Sequence, residues 1–211
     1  MDSRQAKARL MAECSRREIS SGQARHKLIQ WLSKDSPLTD KQEKEIEEII
    51  SSLKKDKYID DARFAKAFTR DKLRFSKWGP EKILRGLSEA GVDKSVTEEA
   101  VREPEDLAIQ VLTDLLSKKR QDLEKKAEKK AAEDKSKLES LERQLKDLDV
   151  QKKDYYKQKT ALLKKIYALQ TKLRNSSLQT KASLIAYART KGFPSSLIER
   201  VTRGYGDYNY L

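Results

Sequence analysis

An all-helical protein is the fold class this sequence predicts, and three observations predict it. Its 211 residues include only 7 Gly and 4 Pro, far fewer than the turn density of a sandwich or barrel demands. Leu, Ala, Lys and Glu, all good helix formers, dominate the composition. Apolar residues recur at steps of three and four through most segments, the period of a helix with one buried face.

The elements group into three units of three helices each. The first unit, residues 1–59, takes helices over 5–16, 21–33 and 40–55, the last starting acidic with Glu43, Glu45, Glu47 and Glu48. The second, residues 60–103, takes 61–75, 80–90 and 94–102. Asp60-Asp61 precedes its first helix and Gly79-Pro80 its second, a capping carboxylate and a proline at the favoured first helical position. The third unit is split into 104–120 and 176–204. Its first helix, 104–118, carries Leu107, Ala108, Val111, Leu112, Leu115 and Leu116 on one face, and helices over 180–191 and 195–203 complete it.

Internal similarity supports the repeat. A shift of 101 residues lays Gly91-Val92 on Gly192-Phe193 with the following apolar positions coinciding, and a shift of 59 lays Ile19, Ser20, Ala24 and Leu28 on Trp78, Gly79, Ile83 and Leu87. Each glycine suits the left-handed residue just past a helix end. Units this small cannot bury their apolar faces alone, so an elongated, curved tandem array is expected.

Residues 121–175 form a charged insert. Leu138, Leu141, Leu145, Leu148, Tyr155, Leu162, Ile166, Leu169 and Leu173 follow a heptad pattern, with Lys152 and Lys159 at polar seam positions. The chain leaves the third unit and returns to it, so an antiparallel helical hairpin is the economical form, with its tip near 147–154 and arms of ~43 Å. Folding about Leu148 would set Ala127 and Ala131 opposite Leu169 and Ile166; a break near Asp134 to Lys137 is the alternative. A closed hairpin makes the chain a monomer, whereas an open seam would make it a dimer.

The net charge of +13 is unevenly spread. Residues 118–177 hold 19 Lys+Arg against 10 Asp+Glu, and 54–85 hold 11 against 5. On a helix, Arg63, Lys66, Arg70, Arg74 and Lys77 form one basic stripe beside an apolar face of Ala62, Ala65 and Phe68, suited to phosphates or an acidic protein groove. A solvated helix face is the bland reading of such charge.

Most catalytic apparatus is missing. One cysteine, Cys14, excludes an intrachain disulfide, and one histidine, His26, removes Cys/His zinc clusters and two-histidine metal sites. No catalytic residue, metal or cofactor is expected. No apolar run approaches the ~18 residues of a membrane span and no charged-then-apolar leader follows Met1, so a cytoplasmic protein without membrane contact is expected.

Other residues read as structural. Asp60-Asp61 reads as a cap rather than a metal site, Trp78 as a hinge between helices, Trp31 as core, Cys14 as a small core residue and His26 as a surface or partly buried position. Tyr155 and Tyr156 lie among Lys152, Lys153, Lys157 and Lys159 near the hairpin tip, where a nucleic-acid contact competes with seam packing. Residues 205–211, with three tyrosines and Gly204 before them, read as a tail that docks or frays.

Three stretches carry a family resemblance: Tyr58-Ile59-Asp60-Asp61-Ala62-Arg63-Phe64-Ala65-Lys66-Ala67-Phe68, Arg74-Phe75-Ser76-Lys77-Trp78-Gly79-Pro80-Glu81-Lys82-Ile83 with Gly91-Val92, and Lys181-Ala182-Ser183-Leu184-Ile185-Ala186-Tyr187 through Lys191-Gly192-Phe193. Together they resemble the RecX family of bacterial RecA regulators. The insert departs from that family's usual short connection. The resemblance implies a non-enzymatic protein of recombination and DNA repair that binds RecA and its filament on single-stranded DNA, touches that DNA at most within the filament, and restrains ATP hydrolysis, filament growth and strand exchange. The basic side of the array is expected to meet acidic RecA surface or the DNA phosphates, with Arg63, Lys66, Arg70, Arg74, Lys77, Lys82 and Arg85 as the principal contact stripe. The competing reading is a basic helical DNA-binding or architectural protein acting without RecA, whose affinity would fall steeply with salt.

Overall fold

A computed structural model describes residues 1–33, 37–151, 153–174 and 178–203. These residues form α1 (Ser3–Cys14), α2 (Ser21–Ser33), α3 (Asp40–Lys55), α4 (Asp61–Asp71), a π-helical turn (Lys72–Ser76), α5 (Pro80–Glu89), α6 (Lys94–Arg102), α7 (Glu105–Lys146), α8 (Tyr155–Arg174), α9 (Leu178–Thr190) and α10 (Ser195–Thr202). No strand occurs among them. The expected tail at 205–211 and the seam position Lys152 lie outside the described residues.

Local chemistry sets most helix ends. Thr39 accepts from the Gln42 N–H while the Gln42 side chain accepts from the Thr39 N–H, a reciprocal cap on α3. Asp60 and Asp93 cap α4 and α6, and Pro80 opens α5. Two expectations are corrected. The helix expected over 61–75 stops being α-helical at Asp71 and continues as a π turn. The helix expected to end at 118 instead runs unbroken for 42 residues, through the suspected break at Asp134, because nothing between 118 and 146 is Gly or Pro.

The chain divides into two compact units, residues 1–112 with 189–198, and residues 113–188 with 199–211. In the first, α1, α2 and α3 close over Ala6, Leu10, Ile19, Ala24, Leu28, Ile46, Ile49, Ile50, Leu53 and Ile59. Trp31 does not join this core as expected: it lies half-buried at the rim, with the Arg9 guanidinium 4.4 Å from its ring centre. The ring offers its face to a cation that would be costly to bury. Cys14 is half-buried against the same core, and burial, then Glu13 and Glu18, pushes its thiol up, away from reactivity.

The three-helix groups are tied through helix ends. Gly91, at φ +70°, closes α5 in a left-handed turn in which the Gly91 N–H donates to Ser88 O and the Val92 N–H to Leu87 O. That turn lies against the start of α2, where the buried Ser20 hydroxyl donates to Ala90 O (2.5 Å) and accepts from the Gln23 N–H (3.1 Å). A Cβ at Gly22 would fall 2.5 Å from Ala90 O. The same device recurs one group later. Gly192, at φ +82°, lies against the start of α5, with the Gly79 N–H donating to Lys191 O (2.6 Å) and the Glu81 N–H to Gly192 O (3.0 Å). A Cβ on Gly79 would overlap the Gly192 backbone.

Asp61 adds a side-chain tie. It accepts from the Ser21 N–H (2.7 Å) and Ser21 hydroxyl (2.6 Å) and pairs with Lys54 (3.0 Å), so it caps α2 while Asp60 caps its own helix. Burial pushes the Asp61 carboxyl up, but Ser21 and Lys54 together outweigh this and hold it below the usual carboxylate range.

In the second unit, α8 runs back along α7 as the expected hairpin, with its tip between Lys146 and Tyr155. Leu138, Leu141, Leu145, Leu148, Tyr155, Leu162, Leu169 and Leu173 are half-buried and Ile166 is buried. The register differs from folding about Leu148. Asp134 pairs with Lys172 at 2.9 Å, and a shallow groove is lined by Lys137, Ser140 and Leu141 with Lys165, Ala168 and Leu169. Leu169 therefore faces the chain near Leu141, and Ala127 is exposed. The Asp134–Lys172 pair decides this, because a buried carboxylate on the seam requires its cation opposite.

Three outcomes follow for stability. Gly22→Ala and Gly79→Ala should each lower the unfolding free energy by about 1–3 kcal/mol in urea melts, since the added methyl meets backbone that cannot rotate away. Thr69, buried in α4 with its hydroxyl unpartnered among the described residues, should tolerate Thr69→Val with no loss and up to ~1 kcal/mol of gain. The hydrogen bond from Lys172 holds the Asp134 carboxyl below its usual range, so the pair's stabilisation is present above the unfolded-state carboxylate pKa and is lost as pH falls through the lowered folded one. Wild type should melt above Asp134→Asn at neutral pH, and the gap should close in acid.

Candidate basic interface

The candidate site is built on α4, the π turn and α5, all within the first unit. The α4 face turned inward carries Phe64, Ala65 and Thr69, with Phe68 half-buried; Ala62, expected on that face, is exposed. Phe64 stacks on Phe68 (5.8 Å), and Phe68 meets Trp78 edge to face (6.5 Å). Gly86 of α5 leaves room for this cluster, since a Cβ there would lie 3.0 Å from Phe68 and 3.4 Å from Trp78. Trp78 thus packs between helices, as its place before Gly79-Pro80 suggested.

The seven expected contact residues do not form one stripe. Arg63 donates to Glu18 (2.7 Å) and to Lys57 O (3.3 Å), and Glu18 keeps it firmly protonated. Lys66 pairs with Glu103 at 3.1 Å. Both cations are therefore engaged within the fold. Lys82 sits 4.6 Å from the Trp78 ring centre, with no acidic partner among the described residues. Arg70, Arg74 and Arg85 are exposed and have no acidic partner among the described residues. Lys77 leaves the helix altogether, adopting φ +55° at the end of the π turn. The three-and-four spacing from Arg70 to Lys77 fails because a π turn holds extra chain per revolution and rotates everything after it.

That rotation produces the feature which spacing alone missed. Phe75, in the π turn, is 80% exposed beside Arg74, while its neighbour Leu73 is buried. Lys72 lies 5.1 Å from the Phe68 ring and 4.8 Å from the Trp78 ring, so the aromatic cluster holds Lys72 and Lys82 at its surface. A signal was available: an aromatic between Arg74 and Lys77, five residues before a proline, stands where an α-helix must end. The result is an exposed ring in the link between α4 and α5, the same segment that carries three exposed arginines without an acidic partner among the described residues. Such a surface can grip an acidic, partly apolar partner; among the described residues no cluster of His, Cys, Asp and Glu could hold a metal ion.

Comparison with known proteins places this stretch. Residues 60–101 match the family profile described as RecX, second three-helix domain. Over 89 residues the chain is 39% identical to the regulatory protein RecX of Oceanobacillus iheyensis, a match covering 42% of this chain and 33% of that protein. The match thus spans about a third of the curated relative. Two solved structures share the fold. The crystal structure of regulatory protein RecX matches 95% of this chain and 73% of its own at TM-score 0.59 and 17% identity. The crystal structure of RecX from Lactobacillus salivarius matches 96% and 95% at TM-score 0.55 and 19% identity. Residues 60–101 are thus similar to the second three-helix domain of the RecX family, and the helical fold of the chain is that of the two RecX crystal structures.

Proposed function

We propose that this protein is a non-catalytic regulator of RecA, acting in the cytoplasm as a monomer that engages the RecA filament on single-stranded DNA and restrains ATP hydrolysis, filament growth and strand exchange. The observation that carries this reading is Phe75, 80% exposed in the π turn of the stretch that matches the second three-helix domain, a stretch that also carries the exposed Arg70, Arg74 and Arg85. An exposed ring supplies the apolar anchor of an interface, and unpaired cations around it steer an acidic partner and set its register. Arg63 and Lys66 contribute less, because each would have to leave an ion pair first. Among the described residues no helix is long and apolar enough to cross a membrane.

The test is single-stranded-DNA-dependent ATP hydrolysis by RecA, titrated with this protein and repeated with DNA in large excess. Inhibition below one protein per RecA that persists in excess DNA is expected; inhibition that vanishes would mean competition for DNA and would overturn the reading. The Arg70→Glu/Arg74→Glu variant and Phe75→Ala should each raise the half-inhibitory concentration about tenfold or more. Lys94→Glu, on the exposed start of α6, should leave it unchanged. Full inhibition by the charge-reversed variant would move the contact elsewhere.

A further inference from the structure

The insert's second arm has a composition unlike the rest of the molecule. Helix α8 carries Lys157, Lys159, Lys164, Lys165, Lys172 and Arg174 and not one acid in its 20 residues. The first arm, α7, mixes both signs along its length. On α8 the seam uses Tyr155, Leu162, Ile166, Leu169 and Leu173, yet a second apolar line runs beside it. Tyr156, Leu163 and Tyr167 are 81%, 46% and 72% exposed, and their spacings of seven and four place them on one face about 110° from the seam.

That face is ordered for contact. Tyr156 stands edge to face on the half-buried Tyr155 at 5.2 Å, which holds its ring out from the helix. Thr160 and Thr171 lie on the same face, and their hydroxyls donate to the carbonyls of Tyr156 and Tyr167 at 2.8 Å, so the face presents few polar groups of its own. Lys157 and Lys164 flank it on one side and Lys159 on the other. Lys172, the α8 lysine paired to Asp134, is turned away from this face.

We propose that this face of α8 binds single-stranded nucleic acid, with bases stacking on Tyr156 and Tyr167 and phosphates meeting Lys157, Lys159 and Lys164. Two rings about 16 Å apart along the helix, with Leu163 between them, suit a strand of several unpaired nucleotides. Stacking of this kind tolerates any base, and the lysines supply the salt-dependent attraction. Charge complementarity selects the occupant: a second copy would oppose one acid-free cationic helix to another. The site lies on the insert and stands independently of any contact with RecA.

Fluorescence anisotropy of the full-length protein with a fluorescein-labelled 16-residue oligo(dT), over a range of salt, tests this. Tyr156→Ala/Tyr167→Ala should weaken binding about tenfold or more with the salt slope unchanged, while Tyr156→Phe/Tyr167→Phe retains affinity within about twofold. Lys157→Ala/Lys164→Ala should lower the slope of log K against log salt by roughly 1.4, the loss of two single-strand phosphate contacts. Far-UV circular dichroism confirms that each variant keeps its helices. The same effects in an Arg70→Glu/Arg74→Glu background would assign binding to the insert. The proposal is overturned if the tyrosine-to-alanine variant binds within twofold of wild type, or if these substitutions abolish binding of a labelled polyglutamate peptide while oligo(dT) binding stays intact.

Discussion

Two left-handed glycine turns, each pressed against the first turn of a helix in the preceding group, are the contacts on which the arrangement of the first unit depends. At one, Gly91 meets Gly22; at the other, Gly192 meets Gly79. Helix starts expose N–H groups that must find acceptors, and left-handed turns expose carbonyls that must find donors. Here the needs cancel: Lys191 and Gly192 carbonyls take the first donors of α5, and the Ala90 carbonyl takes the Ser20 hydroxyl that caps α2. The carbonyl end of α5 also faces the positive end of α2, the favourable order for two helix dipoles. Such backbone-to-backbone contact leaves no room for a side chain on either partner, which is why small residues occur in pairs rather than singly.

The candidate interface inherits its form from this constraint. Gly79 is held against Gly192, so the link from α4 to α5 is anchored at its far end. The extra residue in that link is absorbed as a π turn, which buries Leu73, exposes Phe75 and sends Lys77 into a left-handed conformation. A continuous α-helix through Ser76 would have given the regular cationic stripe that spacing suggests. Lysines therefore gather over Phe68 and Trp78, while Arg70, Arg74 and Arg85 stay exposed on the same segment as Phe75. Arg63 and Lys66 serve the fold, since Glu18 and Glu103 approach them from elements distant in sequence.

The insert obeys a different rule. Its seam is a heptad line of leucines, permissive of several registers because one leucine packs much like another. Asp134 removes that freedom. A seam carboxylate 5% exposed is tolerable only opposite Lys172, and this pairing sets where α7 and α8 align. With the seam fixed, the remaining face of α8 is left with its tyrosines outward and lysines on both flanks.

The all-helical class, the repeat of helix groups, the glycine turns and the hairpin with its tip near 147–154 were legible in the sequence, because each rests on local rules of period, capping and left-handed glycine. The aligned positions Ser20 with Gly79 and Gly91 with Gly192 were also visible, though not that each meets the other kind across the fold. Tertiary structure alone decided which cations stay unpaired, that Asp61 caps α2 rather than α4, that the chain after Asp71 becomes a π turn, and that Asp134 sets the hairpin register. Each of these turns on a partner 37 or more residues away or on an end held by another group, and a periodic pattern carries information only about the face a residue occupies, not about what will stand opposite it.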